Sequence, residues 1–413
     1  MVLVMKYNTI ALHEWQEMTS RKASSLLIKP VGSTCNLRCR YCYYLDKSTL
    51  YENHQPKMDD DLLELFVKQY IDANDVSEIT FNWHGGEPLL AGLDFYKKAI
   101  KLQQKYANGK LIHNTLQTNG TLLSDDWARF FKDNGFLIGV SIDGPKAIHD
   151  GFRKANGGAE TWEKVVRGIE CLYRNNVEYN TLSTINHLSE NQGLSVYQFL
   201  KQCGTNYMQF LPVLEHVNRS TKRITNPDDN DSEPTDWSVT ADGFGRFICD
   251  IFDYWVKHDV GSYFVQFFDV TLANYAHLSS GLCAFDETCG NNAVVEHNGD
   301  VYLCDHFVYQ SHKVWNIKEK PLREILSDER FFTFGIEKRK QLPKQCLKCD
   351  YNFACHGGCP KHRFAKSKDG EPYLNSLCDG YKTFFEHTEP YMRFMLNELK
   401  NNGSPAKVMQ FNP

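Results

Sequence analysis

The chain has 413 residues, of which 42% are hydrophobic and 23% charged, and its formal net charge is −5. This is the composition of a globular protein long enough for two or more domains, and the charge argues against nucleic acid or a membrane as a partner. No apolar run is long enough to span a membrane or to act as a signal peptide, so we expect a cytoplasmic protein.

Six apolar, β-rich runs alternate with helical patterns over residues 26–214. The predicted strands are 26–31, 79–83, 113–117, 136–142, 178–185 and 208–213. The predicted helices between them are 59–72, 93–107, 124–133, 160–174 and 189–202. Ser124 suits the N-cap of the third helix, and Gly135 suits its C′ position. Strands joined by helical crossovers predict an α/β fold with a parallel sheet or a partial barrel.

Composition divides the chain into five successive parts, which are an N-terminal segment (1–23), the partial barrel (24–240), a helical connector (241–282), a cysteine-rich domain (283–390) and the C-terminal helix end with its tail (391–413).

Several further features fall within these parts. Residues 215–240 are polar around 226–234 and predict a solvent-exposed excursion. Helices are predicted at 240–258 and 380–400, followed by a loosely held tail. From residue 283 the apolar periodicity is weak, so metal clusters would have to stabilise that region. The two basic runs, 338–340 and 361–363, are predicted to be solvated surface.

Cysteine usage is the strongest chemical signal in the sequence. Fourteen cysteines in a cytoplasmic chain indicate metal binding or catalysis rather than disulfides. Cys35, Cys39 and Cys42 lie within eight residues, directly after the first predicted strand. They can bind three irons of a [4Fe–4S] cluster and leave the fourth iron open, whereas structural zinc would need a fourth ligand nearby. Three scattered cysteines are predicted to be buried thiols, and these are Cys171, Cys203 and Cys249.

The loops after the next three strands are also unusual. They contain 84–88 (His-Gly-Gly-Glu-Pro), 118–120 (Thr-Asn-Gly) and 141–145 (Ser-Ile-Asp-Gly-Pro). Active sites of parallel α/β barrels lie at the C-terminal ends of the strands, so we expect all four loops on one rim. Gly85 and Gly86 would let the backbone approach a ligand closely, and Glu87 could accept a hydrogen bond from an ammonium. On its own this sequence could also be an ordinary tight turn.

Eight further cysteines lie between residues 283 and 378. They are Cys283, Cys289, Cys304, Cys346, Cys349, Cys355, Cys359 and Cys378. Eight thiolates suffice for two fully ligated [4Fe–4S] clusters, with a pair of zinc ribbons as the alternative. Asp305 directly follows Cys304 and is a candidate base, with His306 as its competitor and a solvated turn aspartate as the alternative.

The first three cysteines and the Gly-Gly-Glu-Pro turn resemble the signature of radical S-adenosylmethionine enzymes. This resemblance implies that the open iron binds the methionyl amine and carboxylate and that Gly85, Gly86 and Glu87 contact the amine. It also implies that Ser141 and Arg153 contact the carboxylate and ribose of the cofactor, and that Tyr41 and Leu211 pack against its adenine.

The eight late cysteines resemble the SPASM extension of radical enzymes that modify peptides. In that family the ligands interleave. The resemblance implies one cluster on Cys283, Cys289, Cys304 and Cys359. It implies a second cluster on Cys346, Cys349, Cys355 and Cys378.

Three segments, 39–47, 332–346 and 355–363, are similar to anaerobic sulfatase-maturating enzymes, and the resemblance covers about residues 24–390. His84 stands where glutamine is expected. The resemblance implies S-adenosylmethionine, three [4Fe–4S] clusters and a reductant such as flavodoxin or ferredoxin. The substrate would be an unfolded sulfatase polypeptide, in which a cysteine or serine is oxidised to Cα-formylglycine while Asp305 removes the thiol or hydroxyl proton.

Two other functions remain open from the sequence. Another SPASM-type enzyme could form a thioether or carbon crosslink in a peptide. A non-catalytic iron–sulfur protein would explain the eight late cysteines, but not the three-cysteine site or the Gly-Gly-Glu-Pro turn.

Overall fold

The structure is a computed structural model, and it describes residues 25–50, 57–221, 225 and 231–413. The predicted N-terminal segment and residues 226–230, in the centre of the predicted excursion, lie outside this part. The described chain divides into two compact units. The first comprises 25–34, 47–115 and 288–337, and the second comprises 35–46, 116–287 and 338–413.

The helices and strands are numbered here in chain order. The strands are β1 (Ser25–Lys29), β2 (Glu78–Trp83), β3 (Leu111–Thr118), β4 (Phe136–Ser141), β5 (Tyr179–Ile185), β6 (Tyr207–Pro212), β7 (His216–Asn218), β8 (Ser232–Pro234), β9 (Phe264–Val265), β10 (Asn292–Glu296), β11 (Asp300–Tyr302) and β12 (Lys313–Asn316). The helices are α1 (Asp60–Ala73), α2 (Leu93–Tyr106), α3 (Asp125–Asp133), α4 (Lys146–Phe152), α5 (Trp162–Arg174), α6 (Gly193–Gln202), α7 (Ala241–His258), α8 (Gln266–Tyr275), α9 (Leu322–Leu326), α10 (Glu329–Lys340), α11 (Lys344–Leu347), α12 (Asn352–Cys355) and α13 (Cys378–Lys400).

The six predicted strands and five predicted helices of the N-terminal half are confirmed, with ends shifted by a few residues. Their alternating apolar pattern was sufficient to locate them. Helix α3 shows that capping residues in the sequence also predict where a helix begins and ends. The Ser124 hydroxyl accepts a hydrogen bond from the Trp127 N–H at 3.5 Å, and Gly135 has a φ of +62°.

In the first unit, β1 is the central strand of a mixed sheet. It pairs in parallel with β2 and with β10, where Ser25 is opposite Asn292. Strands β10, β11 and β12 are antiparallel to one another. The region after residue 283 is therefore more regular than its sequence predicts. These strands are three to five residues long, too short to show a clear period.

In the second unit, β4, β5 and β6 are parallel and are joined by helical crossovers, and β9 extends this set beside β6. Helices α7 and α13 lie in the same unit. A Cβ added to Gly380 would lie 2.2 Å from the Ala241 carbonyl oxygen, so a glycine is needed where the two backbones approach. No helix among the described residues has the length and apolarity needed to cross a membrane.

The C-terminal tail is not loosely held as its polar sequence predicts. Val408 is fully buried, and the Phe411 ring stacks on Phe394 at a centroid distance of 4.5 Å. The Lys257 ammonium also donates a hydrogen bond to the Phe411 carbonyl at 2.7 Å. Two apolar side chains and one partly buried hydrogen bond thus hold the tail against α7 and α13.

The prediction of a solvent-exposed excursion holds in part. Residues 219–221 and 231 are exposed as predicted, whereas the start of the segment is buried, since Glu215 is 6% exposed. Strands β7 and β8 of this segment pair antiparallel.

The prediction that the basic runs are solvated also holds only in part. Lys340 is exposed, but Lys338, Lys361 and Arg363 are each 5% exposed or less. Among these, the Lys361 ammonium contacts the Glu215 carboxylate.

Candidate active site

The three-cysteine loop of the second unit is embedded in an apolar cluster. Cys39 packs with Leu37, Tyr41, Phe152 and Val213, and the half-buried Cys35 and Cys42 lie against the same cluster. Burial raises the pKa of the Cys39 thiol to about 12, despite the opposing charge of Arg153. Because iron binds the thiolate, cluster loading would release a proton from this buried position.

A polar network lies beside Cys35. The Asn119 side-chain amide donates hydrogen bonds to the Asn36 side chain at 2.8 Å and to the Cys35 sulfur at 3.7 Å. Asn36 in turn donates to the Thr121 hydroxyl at 2.9 Å. Sequence reasoning singled out the loop that contains Asn119 but gave the residue no role. Asn119 directly follows β3, and this position at the C-terminal end of a strand could have indicated a functional residue.

Tyr41 and Arg153 meet at a buried carboxylate that the sequence analysis did not select. The Tyr41 hydroxyl donates to Asp143, and the Arg153 Nε atom lies 3.0 Å from the same carboxylate oxygen. The Thr184 N–H donates to the other oxygen at 3.0 Å. Burial lowers the pKa of Arg153, but the Asp143 charge outweighs it and the net direction is upward. Asp143 therefore fixes two of the predicted cofactor residues.

Ser141 and Leu211, the other two predicted cofactor residues of this unit, lie near the C-terminal ends of two parallel strands that flank β5. Ser141 is the last residue of β4, and its hydroxyl accepts a hydrogen bond from Gln117 at 3.0 Å. Leu211 lies on β6 opposite Thr184 of β5. Both side chains are half-buried, so each can contact a ligand without leaving its strand.

The Gly-Gly-Glu-Pro turn belongs to the first unit and is bound to the segment that precedes Cys35 in the chain. The Gly86 N–H donates to the Gly32 carbonyl at 2.8 Å, and the Glu87 N–H donates to the Thr34 carbonyl at 2.9 Å. The Glu87 carboxylate is fully buried and accepts a hydrogen bond from the Leu89 N–H at 3.0 Å. The turn is thus held by backbone contacts at both ends.

Replacing Gly86 with alanine is expected to destabilise the protein by about 2 kcal/mol or more. The added Cβ would lie 2.2 Å from the Thr34 carbonyl oxygen, and a backbone atom cannot move aside at low cost. The matched control is Gly157→Ala, which adds a Cβ in open space and should change stability by less than about 0.5 kcal/mol. Chemical denaturation measures both variants, and equal effects would contradict the prediction.

Asp305 lies in a buried ion pair in the first unit. The Lys29 ammonium is 2.5 Å from the Asp305 carboxylate and 3.0 Å from the His84 Nδ1 atom. Burial raises the pKa of Asp305, but the charge of the adjacent Lys29 ammonium outweighs it and holds the pKa well below the usual range. Burial and Lys29 also lower the pKa of His84 to about 4, so the imidazole is neutral.

This geometry removes one of the alternatives for Asp305, a solvated turn residue, and leaves the choice between Asp305 and His306 as the base to experiment. The side chain is only 13% exposed, so it is not a solvated turn residue. Lys29 was missed because it ends an apolar strand and was read as part of it. A lysine inside such a strand is itself a signal, since a buried ammonium needs a partner.

Four of the late cysteines line one cavity of the second unit, with a volume of about 340 Å³. They are Cys346, Cys349, Cys355 and Cys378. Burial raises the pKa of the Cys355 thiol to about 12, and the charges of the other three add to this effect. The four sulfurs are therefore close enough to affect one another, as the predicted ligand set requires.

The other four late cysteines are divided between the two units. Cys283 and Cys359 belong to the second unit, and Cys289 and Cys304 belong to the first. Burial raises the pKa of the Cys359 thiol, and the charge of Cys283 raises it further, so these two thiols are neighbours.

Within the described ranges, no three His, Cys, Asp or Glu side chains are placed to bind one metal ion together.

Two family models match the chain. The Radical SAM superfamily model matches residues 30–200, and the model of an iron–sulfur cluster-binding domain, SPASM, matches residues 283–350. The predicted fold class, a partial barrel with a C-terminal cysteine-rich iron–sulfur domain, is confirmed by these matches and by the parallel strands.

Curated relatives and a solved structure match nearly the whole chain. A serine-type anaerobic sulfatase-maturating enzyme of Bacteroides thetaiotaomicron is 46% identical over 93% of this chain and 94% of its own. A cysteine-type enzyme of Clostridium perfringens is 33% identical over 91% and 99%. The structure of anSMEcpe with bound AdoMet and Cp18Cys peptide matches with a TM-score of 0.80 and 32% identity, covering 91% and 99%. With identity this high over almost its full length, the chain belongs to the anaerobic sulfatase-maturating enzymes of the radical SAM superfamily.

Proposed function

We propose that this enzyme oxidises a cysteine or serine of an unfolded sulfatase polypeptide to Cα-formylglycine under anaerobic conditions. The observation that carries this proposal is the full-length similarity to both serine-type and cysteine-type maturating enzymes. The similar structure that holds AdoMet and a peptide supports a peptide substrate.

The proposed cofactors are S-adenosylmethionine and three [4Fe–4S] clusters. Cys35, Cys39 and Cys42 would bind the cluster with the open iron. The remaining ligand sets would be the interleaved ones, in which Cys283, Cys289, Cys304 and Cys359 hold one cluster and Cys346, Cys349, Cys355 and Cys378 hold the other. The neighbouring Cys283 and Cys359 thiols and the shared cavity of the second set support this division.

The proposed cofactor contacts are those that the resemblance to radical S-adenosylmethionine enzymes implies. Gly85, Gly86 and Glu87 would receive the methionyl amine, and the buried Glu87 carboxylate supplies the acceptor for it. Ser141, Arg153, Tyr41 and Leu211 would contact the carboxylate, ribose and adenine. The buried Asp143 keeps Tyr41 and Arg153 in place for this role.

When bound, the cofactors supply a radical that removes one Cβ hydrogen atom from the target residue and clusters that accept one electron from it. Asp305 supplies the remaining step by accepting the proton of the target hydroxyl or thiol. The Lys29 ammonium keeps this carboxylate ionised at every physiological pH, so it holds no proton before the target residue binds. The same ion pair makes the carboxylate a weaker base, so the proton has to move as the target carbon is oxidised. Loss of one hydrogen atom, one proton and one electron converts an alcohol to an aldehyde. A thiol gives a thioaldehyde, which water hydrolyses to the same product.

The proposed partners are the unfolded sulfatase and a reductant such as flavodoxin or ferredoxin. A cytoplasmic location agrees with this proposal, since the ligand cysteines must stay reduced until iron binds them.

The test is anaerobic incubation of the reduced enzyme with S-adenosylmethionine and sulfatase peptides that contain serine or cysteine at the target position. We expect a peptide that reacts with a hydrazide probe, detected by mass spectrometry, and no reaction when the target is alanine. A crosslinking enzyme would also remove two hydrogens from a peptide, but its product would not react with the probe. That outcome would overturn the proposed function.

A further inference from the structure

Lys338 is a buried cation beside a predicted cluster ligand. Its side chain is 1% exposed. The ammonium donates hydrogen bonds to the carbonyl oxygens of Cys283 at 2.7 Å, Ala284 at 2.9 Å and Asp286. These carbonyls belong to the short 3-10 turn Cys283–Phe285 and the residue after it, so the lysine both closes this turn and places a positive charge 2.7 Å from the main-chain carbonyl of Cys283.

A second buried lysine lies in the same unit. Lys361 is 5% exposed, and its ammonium contacts the Glu215 carboxylate. Lys338 differs in that its ammonium donates hydrogen bonds to the main chain of a predicted ligand, Cys283.

Arg363 fixes the position of Lys338. Its guanidinium is 5% exposed and donates to the carbonyls of His356 at 2.8 Å, Gly357 at 2.9 Å and Lys338. It therefore ties the end of α10 to the loop between Cys355 and Cys359. In that loop His356, Gly357 and Gly358 all have positive φ values, which turn their carbonyls toward the guanidinium.

A buried positive charge favours the more negative of two states of a nearby group. Reduction adds one electron to an iron–sulfur cluster, and net charge, burial and hydrogen bonding around the ligands set its reduction potential. Because Lys338 is almost fully excluded from water, its charge is weakly screened.

We propose that Lys338 raises the reduction potential of the cluster bound by Cys283 and Cys359, so that this cluster accepts the electron lost by the substrate. The proposal rests on the proposed function, in which the substrate radical is oxidised by one electron and the cluster is reduced by one. Lys338 is a positioning residue, because it acts through the cysteines.

The test compares Lys338→Gln, which removes the charge, with Lys338→Arg, which keeps it. Lys340→Gln is the matched control, since Lys340 is exposed on the same helix. Each full-length, iron-loaded enzyme is titrated anaerobically and followed by electron paramagnetic resonance, with total iron measured beside it. The titration is repeated with Cys35, Cys39 and Cys42 replaced by alanine, so that the signal comes from the two clusters that the eight late cysteines would bind.

We expect Lys338→Gln to lower the midpoint potential of one of these two clusters. At the wild-type midpoint potential, the ratio of reduced to oxidised cluster should fall about tenfold, which corresponds to a shift of ~59 mV for one electron. Lys338→Arg and Lys340→Gln should match the wild type. If the Lys338→Gln enzyme lost iron and the other two variants did not, the result would also support a requirement for the positive charge of Lys338. Unchanged potentials in a fully loaded glutamine variant, or equal effects of glutamine and arginine, would overturn the proposal.

The titration contains no peptide. An enzyme that formed no formylglycine would therefore disprove the proposed function while leaving the effect of Lys338 on the potential measurable.

Discussion

The Asp305→Ala enzyme is expected to cleave S-adenosylmethionine at close to the wild-type rate and to form formylglycine at least about 100-fold more slowly. The substitution removes the proposed proton acceptor and leaves the three-cysteine loop, which belongs to the other unit, unchanged. Released 5′-deoxyadenosine and the peptide aldehyde are measured in the same reaction by mass spectrometry. Unimpaired aldehyde formation would remove Asp305 from the mechanism.

The effect of Asp305→Ala on folding stability has to be separated from its effect on aldehyde formation. Removing Asp305 leaves the Lys29 ammonium buried without its carboxylate, which costs about 3 kcal/mol. Lys29→Met combined with Asp305→Ala should regain much of that stability without regaining the aldehyde. Asp300→Asn is the matched control, because Asp300 is also buried and lies 2.6 Å from Lys313. It should lower stability but leave aldehyde formation per folded chain unchanged.

The Cys39→Ala enzyme is expected to release no 5′-deoxyadenosine and to form no aldehyde above background. Cys39 is the most buried of the three cysteines in its loop, and its loss leaves two thiolates for a cluster that needs three. Iron analysis should show the loss of one cluster and the retention of the other two.

Cys171→Ala provides the control for this variant. Cys171 is also buried, at 3% exposure, and its sulfur lies 3.4 Å from an Asp125 oxygen. The variant should keep both its iron and its cofactor cleavage. Cofactor cleavage by Cys39→Ala, or loss of iron from Cys171→Ala, would contradict the assignment of the cluster ligands.

The sequence was sufficient to predict the structure wherever a pattern repeats over many residues or a motif has a fixed spacing. The strands and helices of the N-terminal half alternate regularly, and the motif around Cys35, Cys39 and Cys42 has a fixed spacing. Of the three scattered cysteines, Cys171 is buried as predicted, whereas Cys203 and Cys249 are half-buried.

The sequence was insufficient to predict the partners of buried charged side chains, because these contacts join segments that are distant in the chain. Lys29 ends an apolar strand, and its partner Asp305 lies far along the chain, so no local pattern indicates their ion pair. The burial of Lys338 has the same cause, since the carbonyls that bind its ammonium come from a loop more than fifty residues earlier. The ligand sets, the domain bounds and the cofactor contacts remain predictions.

The parallel pairing of β1 with β10 has a consequence for biosynthesis. Ser25 emerges from the ribosome early, whereas its partner Asn292 is made after most of the chain. Until then, β1 presents an open edge, and the first unit lacks one side of its sheet. Contacts this distant in sequence form slowly, so much of the translated chain must wait for them. Chaperones that cover this strand until β10 has been made should therefore raise the yield of folded protein.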